Sequence, residues 1–388
     1  MIIHHPEIRA EADGVVVSAR VEFNSPLPGM PEELWFRIPP DQKDLVTDRA
    51  DGFLIAMLLL AMQHSEDIRV KGVVSPKLLS GIKEYQRIFN MWFPKIFSLV
   101  SIECEEIERS SNEGWKGSIV SAFSGGVDSF FSLWSHLPQN DGDANTQVTG
   151  ALFVHGFDIK LEHVKAYSIL RDSYRDMFES LGINFLTGST NIQQFNTRRN
   201  WGIFHGTALI GFAHVIGCGT DKLYVPASLT YKDLMPWGTD PRSDHLLSTE
   251  SLEIIHDGAA YTRVEKTEAL SRWPETYNKL RVCTPGDSVE NCSQCEKCIR
   301  TMVTLDMFGA LRNYSTFKGR LKYSLIRGCR YYNSGEFALA KEILDKAAAL
   351  KRYDIVFNVS YSVVRSRILQ ILRFVKLRLF SAWKKITG

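Results

Sequence analysis

The order of apolar and polar positions predicts a mixed region in residues 1–115. The runs 14–23 and 33–38 are rich in β-branched and aromatic residues and alternate in part, as strands do. The runs 53–64 and 78–98 have apolar positions at helical spacing. The pattern therefore predicts an N-terminal α+β unit, and no motif in it indicates a chemical role.

From residue 116 to about 315 the pattern changes to strand and helix in alternation. Four apolar runs predict strands, at 117–123, 148–158, 183–189 and 221–228. Segments with helical spacing follow the first three runs. Repeated units of this kind predict an α/β fold with a parallel sheet covered on both faces. Ligands bind beyond the carboxyl ends of such strands, so the loops that follow them are the expected place for a site.

Composition changes this picture little. The chain has 388 residues, is 44% hydrophobic and 23% charged, and carries a formal charge of +2, which gives no general argument for a nucleic-acid partner. Residues 1–14 lack the basic and apolar pattern of a signal peptide. The most apolar run, 53–62, has about half of the roughly 20 residues that a membrane span needs. We expect a buried helix there and a cytoplasmic protein.

Residues 316–388 predict a helical C-terminal region that ends in a basic tail. The tail, 361–388, has no acidic residue and contains seven basic ones: Arg365, Arg367, Arg373, Lys376, Arg378, Lys384 and Lys385. Without these seven charges the rest of the chain has a net charge of −5. A basic helix with apolar residues can lie on an anionic membrane surface, bind a partner protein or pack on the chain's own domains. The sequence leaves the three open.

A glycine turn lies between the predicted strand 117–123 and the helix that follows it. Its residues are Ser124, Gly125, Gly126, Val127, Asp128 and Ser129. Such a turn directs backbone N–H groups and the positive end of a helix at an anion, and Asp128 could hold Mg²⁺ or organise the loop. Neither a Walker motif nor a GxGxxG fingerprint is present. The alternative is a plain turn with a capping serine.

Four of the seven cysteines lie within sixteen residues. They are spaced C-x8-C-x2-C-x2-C, at Cys283, Cys292, Cys295 and Cys298. Short C-x2-C steps let thiolates converge, and four thiolates with no open position are typical of structural Zn²⁺. We therefore predict a zinc knuckle over 283–298. The alternative is that the four cysteines ligate an iron–sulfur cluster.

The glycine turn resembles the SGGxDS loop of the PP-loop ATP pyrophosphatases. With the four cysteines, the chain resembles one zinc-containing branch of that superfamily, the 7-cyano-7-deazaguanine synthases. "TRRNWGIFHG" is similar to the family's Arg-Asn helix, with Arg199 and Asn200 in the matching places, and "TRVEKTEAL" places Lys266 as a phosphate-contacting lysine. The resemblance covers about 118–305, roughly half of the chain.

This resemblance implies a Rossmann-like sheet of the adenine nucleotide alpha hydrolase type. It also implies that ATP, with Mg²⁺, is cleaved between its α and β phosphates and that the turn holds the leaving pyrophosphate. Asp128, Lys266 and Arg199 are the implied catalytic residues. The implied reaction is adenylation of a carboxylate, followed by attack of ammonia or a larger amine to form an amide or nitrile. The carboxylate would be a deazapurine, another small molecule or a macromolecular acceptor.

Two other classes of protein stay open. A tRNA-modifying PP-loop enzyme would have a basic face, and the net acidic charge outside the tail counts against it. A non-catalytic ATP-binding assembly or defence protein could use the same fold, but such a binder could have lost Asp128, which is present here.

The chain departs from the family in the segments that contact the second substrate. The family's Asp-Tyr-Gly-Gln-x-His stretch is replaced by "HGFDIKLEH", and its loop ending in Asp-Cys-Arg by residues 231–249. His155, which follows the second predicted strand, either faces ATP or is structural. A solvated loop is the alternative for 231–249, whose candidate substrate-binding residues are Trp237, Asp240, Arg242, Asp244 and His245.

Overall fold

The chain divides into two compact units. The computed structural model describes residues 1–25, 27–111, 118–196, 200–217, 220–283 and 288–387, with side-chain environments to residue 373. What we call the sheet unit comprises 1–124, 132–227 and 236–258, and the helical unit comprises 125–131, 228–235 and 259–388. The segments that follow two of the strands belong to the helical unit, so the units do not follow chain order. The sequence boundaries near 115 and 315 stay predictions.

All eleven strands of the described residues lie in the sheet unit and form one mixed sheet. They are β1 (Ile2–Ile3), β2 (Glu7–Glu11), β3 (Gly14–Glu22), β4 (Glu33–Ile38), β5 (Ile68–Val74), β6 (Ile102–Ile107), β7 (Ile119–Ala122), β8 (Gly150–His155), β9 (Asn184–Thr190), β10 (Lys222–Pro226) and β11 (Glu253–Asp257). Their order is β11-β10-β7-β8-β9-β4-β3-β1-β5-β6, and β2 also pairs with β3. The predicted α/β class is confirmed.

The half of the sheet from β11 to β9 is parallel throughout. From β7 the chain proceeds outward to β8 and β9, and then crosses to β10 and β11 on the other side of β7. The strand order therefore reverses between β7 and β10, which is the place where open parallel sheets bind ligands. The segments that follow these two strands are the glycine turn and 227–235.

The N-terminal strands extend this sheet instead of forming one of their own. β4 pairs antiparallel with β9, with Phe36 opposite Thr190 and Arg37 opposite Ser189. The sheet is therefore mixed, although the alternating units alone predict a parallel one. The difference arises because local alternation of apolar residues defines a strand but does not define which distant strand it pairs with.

Ten α-helices lie in the described residues. They are α1 (Asp51–His64), α2 (Pro76–Trp92), α3 (Val127–Ser135), α4 (Val164–Ser180), α5 (Trp201–Val215), α6 (Arg263–Leu270), α7 (Glu296–Met307), α8 (Tyr323–Gly328), α9 (Ser334–Ala349) and α10 (Tyr353–Thr387). α1 is buried from Phe53 to Met62 on every side, as expected for a core helix that is apolar all round. Among the described residues, no helix is both long and apolar enough to span a membrane. The cytoplasmic location stays a prediction.

α1 and α5 pack closely because glycines face each other where they meet. A Cβ on Gly52 would lie 2.5 Å from the carbonyl oxygen of Gly211 and 2.9 Å from a methyl group of Val215. Both helices belong to the core of the sheet unit, so neither backbone can move away without loss of packing.

We expect Gly52→Ala to lower the free energy of unfolding by roughly 1–3 kcal/mol, the usual cost of overpacking. Alanine is otherwise preferred to glycine in helices by about 1 kcal/mol, so destabilisation would identify the close contact as its cause. Gly142→Ala is the control, because a Cβ there meets no atom within 4 Å. Equal stability of Gly52→Ala and wild type in denaturant titrations would contradict the packing argument.

Candidate functional site

The glycine turn leads directly into α3. Gly125 has a φ of 77°, in the left-handed region that favours glycine. α3 begins at Val127, and the N–H of Phe130 and the hydroxyl of Ser129 both donate to the carbonyl of Gly126, at 3.0 and 3.1 Å. The second half of the motif is therefore the first turn of a helix, an arrangement whose N–H groups are suited to an anionic ligand.

Asp128 is held between two cations of the helical unit. Its Oδ2 accepts hydrogen bonds from Nη2 of Arg263 at 2.5 Å and from the hydroxyl of Ser228 at 3.2 Å. Its Oδ1 lies 3.7 Å from Nζ of Lys266. Oδ1 is buried and has no hydrogen-bond partner in the described part of the chain. Asp128 thus anchors two cations, Arg263 through Oδ2 and Lys266 through Oδ1.

Lys266 is only 1% exposed, which is rare for a lysine unless it is paired. Arg263 and Lys266 are three residues apart on α6, so they share one face of the helix. Thr262 and Glu265 form a capping box that fixes where α6 begins. The Thr-x-x-Glu pattern is visible in the sequence and could have identified Arg263, which sequence reasoning missed.

Two further guanidinium groups of the helical unit are buried. The N–H of Arg281 donates to the carbonyl of Gly125 at 2.7 Å, and Nε and Nη2 of its side chain are buried without a partner among the described residues. Burial lowers the pKa of Arg300, which pairs with Glu296 at 2.9 Å and is influenced by the charges of Arg263 and Asp128. Buried cations therefore outnumber the carboxylates that pair with them. Such an excess favours an anionic ligand.

The structure brings together only part of the predicted nucleotide site. Gly125 to Ser129 and Lys266 lie in the helical unit, and Asp128 and Lys266 are in contact. Ser124 and His155 belong to the sheet unit. Arg199 lies outside the described residues.

His155 has the contacts of a structural histidine. It is 6% exposed, its Nε2 lies 2.8 Å from the carbonyl oxygen of Lys160, and its ring stacks on Tyr167 with centroids 4.3 Å apart. Burial lowers the pKa of His155, which favours the neutral ring. A role toward ATP stays a prediction.

The charged residues of the candidate substrate loop pair with partners in the sheet unit. Both Nε and Nη2 of Arg242 donate to Asp240 at 2.7 Å. Asp244 is 1% exposed and lies 2.7 Å from Nδ1 of His256, and burial raises its pKa. These pairs order the loop, and roles of Asp240, Arg242 and Asp244 in substrate binding stay predictions.

His245 is exposed, and its Nδ1 lies 3.2 Å from the carbonyl oxygen of Pro241. Trp237 is 37% exposed, and its ring packs on Gly202, where a Cβ would come within 2.6 Å of it. Roles of both in substrate binding stay predictions.

The four clustered cysteines form a candidate metal centre. Their sulfur atoms all lie within 4.8 Å of one another, with Cys298 Sγ 3.3 Å from Cys283 Sγ and 3.8 Å from Cys292 Sγ. Four sulfurs about 2.3 Å from one tetrahedral Zn²⁺ would be about 3.8 Å apart. The sulfurs thus fit a single ion better than an iron–sulfur cluster. In such a cluster the four thiolates are distributed over two or four iron atoms instead of surrounding one ion.

Backbone geometry around the cysteines also fits a metal centre. The N–H of Cys292 donates to Cys283 Sγ and the N–H of Cys295 donates to Cys292 Sγ, each at 3.3 Å. Ser293 adopts a left-handed φ of 57°, which turns the chain between two ligands. Hydrogen bonding from the Cys298 thiol lowers the pKa of Cys295 to about 5. Cys295 also occupies the N-cap position of α7, without a side-chain cap hydrogen bond, and negative charge is favoured at this end of a helix.

Searches of protein-family models, curated proteins and solved structures find no match to this chain. The functional argument therefore depends on the residues and the geometry of the site.

The C-terminal region contacts the helix that carries both site cations. A carboxylate oxygen of Glu342, on α9, accepts the N–H of Arg263 at 2.8 Å. Lys346 of the same helix pairs with Glu268 of α6 at 2.6 Å. Burial raises the pKa of Glu342 to about 7, although the N–H groups of Arg263 and Val264 oppose the shift. α9 thereby positions α6, a link that no local sequence signal indicates.

The raised pKa of Glu342 predicts a pH-dependent stability. Because its ordinary value is 4.5 and its folded value about 7, the wild type should lose on the order of 2–3 kcal/mol of unfolding free energy, relative to Glu342→Gln, as the pH rises between these values. Glutamine keeps an acceptor for the N–H of Arg263 but does not ionise. We expect Glu342→Ala, which has no acceptor, to be less stable than Glu342→Gln at every pH. Parallel profiles for wild type and Glu342→Gln in denaturant titrations would contradict the assignment.

The metal centre predicts about one zinc per chain in purified protein. Elemental analysis should find the zinc absent in Cys298→Ser, because three thiolates no longer complete the tetrahedron. Cys104→Ser is the control and should keep its zinc, since Cys104 lies outside the cluster. Iron with visible absorbance, or zinc retained in Cys298→Ser, would contradict the prediction.

Proposed function

We propose that this protein is an AMP-forming ATP-dependent ligase of the PP-loop type, similar to the 7-cyano-7-deazaguanine synthases. It adenylates a carboxylate and then joins it to a nitrogen nucleophile as an amide or nitrile. The observation that carries the proposal is the convergence of Arg263 and buried Lys266 on Asp128, at the first turn of the helix that follows the glycine turn.

The strand order supports a Rossmann-like sheet. The order in which the chain adds its five parallel strands reverses between β7 and β10. Doubly wound nucleotide-binding folds place their ligand at such a point. The glycine turn follows β7. The turn contains no lysine, and the cations come from α6 instead, which separates this site from the Walker type.

In the proposed reaction the turn and α6 bind the β and γ phosphates of ATP. The N–H groups of the first turn of α3 face these phosphates, and Lys266 and Arg263 neutralise their charge. Mg²⁺, for which Asp128 is a suitable ligand because its Oδ1 accepts no hydrogen bond from the described residues, would supply further charge neutralisation. Burial strengthens these interactions because water does not screen them.

Each step conserves atoms and charge. A carboxylate oxygen of the substrate attacks the α phosphorus, the bond from that phosphorus to the bridging oxygen breaks, and pyrophosphate leaves with the electron pair. The product is an acyl-adenylate. A nitrogen nucleophile then attacks the acyl carbon, AMP leaves, and the nitrogen loses a proton, which gives the amide. A nitrile needs ammonia as the nucleophile and a second ATP: the amide oxygen attacks the α phosphorus, pyrophosphate leaves, and AMP then departs with that oxygen while the nitrogen loses its remaining two protons. Lys266 and Arg263 stabilise the charge that develops on pyrophosphate, whereas the four cysteines maintain the local fold and take no part in bond changes.

Exchange of labelled pyrophosphate into ATP tests the proposal. We expect exchange that depends on one carboxylate in a panel that includes 7-carboxy-7-deazaguanine. Asp128→Ala should abolish it, and Lys266→Met should reduce it by about 10²–10³-fold, the effect of removing one preorganised stabilising group. Asp172→Ala and Lys341→Met, at exposed positions, are the matched controls and should retain exchange.

Three outcomes would contradict the proposal. ATP binding without exchange for any carboxylate, with a macromolecular acceptor included, would indicate a nucleotide-binding scaffold. Formation of ADP and phosphate would indicate cleavage of the other bond. Unchanged exchange in Lys266→Met would remove the role of the buried lysine.

A further inference from the structure

Up to residue 373, where its described side chains end, α10 packs by one face on the rest of the helical unit. This helix runs from Tyr353 to Thr387 and is 35 residues long. In its first half Ile355, Val359 and Ser362 are 0–2% exposed. The opposite face presents an exposed stripe, which consists of Phe357 (67% exposed), Tyr361 (50%), Val364 (55%), Ile368 (51%) and Ile371 (62%). Their spacing of four, three, four and three residues keeps all five on one side of the helix.

Towards the end of its described side chains α10 has few contacts: Gln370 donates to the carbonyl oxygens of Tyr331 and Tyr332 at 3.1 Å, and the guanidinium of Arg367 lies over the ring of Phe337. Every residue from 367 to 373 is exposed. Leu369 and Leu372, at 39% and 58% exposure, widen the apolar surface beyond the stripe. Exposed aliphatic side chains in such a contiguous patch mark an interaction surface.

The C-terminal part of the chain has a strongly positive net charge. Residues 309–388 contain 17 lysines and arginines and 4 acidic residues, a net charge of +13, which leaves −11 for the first 308 residues. No acidic residue occurs after Asp354. Arg365 and Arg367 follow Val364 by one and three positions, so they fall on either side of the stripe at about 100° per residue.

We propose that α10 binds the surface of an anionic lipid bilayer, with the stripe in the interfacial layer and the arginines at the lipid headgroups. Apolar burial and attraction to anionic lipids together give such helices their affinity. The sequence continues with Phe374, Phe380 and Trp383 among lysines and arginines, a composition that suits the membrane interface. The inference does not depend on the proposed reaction.

Three other occupants fit the same observations less well. A second copy would bring two strongly positive surfaces together. Nucleic acid would pair with the arginines but leave Ile368, Ile371 and Leu372 in water. A partner helix in a coiled coil covers a narrower seam and usually faces flanking residues of both charge signs.

Co-sedimentation of the full chain with lipid vesicles tests the inference. We expect binding to phosphatidylcholine vesicles that contain about 30% phosphatidylserine and none to phosphatidylcholine alone, with affinity at least about tenfold weaker in high salt. The double variant Ile368→Asp, Ile371→Asp should lose binding by at least about tenfold, because it places charges in the apolar stripe. Its thermal unfolding should match wild type, since both side chains are exposed. Met91→Asp is the matched control, at a position 79% exposed in the sheet unit, and should bind as wild type does.

No binding to anionic vesicles, equal binding to neutral ones, or full binding by the double variant would each overturn the inference. A dimer in light scattering that the double variant loses, without lipid binding, would assign the stripe to a second copy and overturn it too.

Discussion

The charges around Asp128 are the constraint on which the helical unit depends. Lys266 is buried, Arg263 is close to buried, and both point at one carboxylate. A buried cation that loses its partner costs several kcal/mol, so Asp128 holds α6 beside the first turn of α3. α6 is held in turn by α9, through Glu342 at its N-terminus and Lys346 at Glu268. Charged contacts thereby join the glycine turn, α6 and the C-terminal helix α9.

The cysteine cluster adds a second constraint to the same unit. Cys295 is the residue before α7, and Cys298 lies in its first turn, so a bound metal would fix the start of this helix. α7 carries Glu296 and Arg300, whose buried pair is influenced by the charges of Arg263 and Asp128. A structural metal can therefore support the charged cluster around Asp128 by fixing the helix that carries Glu296 and Arg300.

Local sequence patterns predict some of these features well. The spacing of the cysteines, the apolar run of α1 and the turn after β7 depend on neighbours in the chain, and each lies where it was expected. Pairing between distant segments has no such local signal. β4 joins β9 across about 150 residues, and Glu342 reaches Arg263 across 79. The sequence marks Asp240 and Asp244 as candidate substrate-binding residues but does not indicate their pairing with Arg242 and His256, which arises because buried charges in a folded chain need partners.

The most direct test of the central claim is a crystal structure with Mg²⁺ and α,β-methylene-ATP, an analogue that cannot be cleaved at the proposed bond. The account predicts the β and γ phosphates at the first turn of α3, with Nζ of Lys266 within hydrogen-bond distance of a phosphate oxygen and the metal on Asp128. A nucleotide bound elsewhere, with the contacts of Asp128 to Arg263 and Lys266 unchanged, would contradict it.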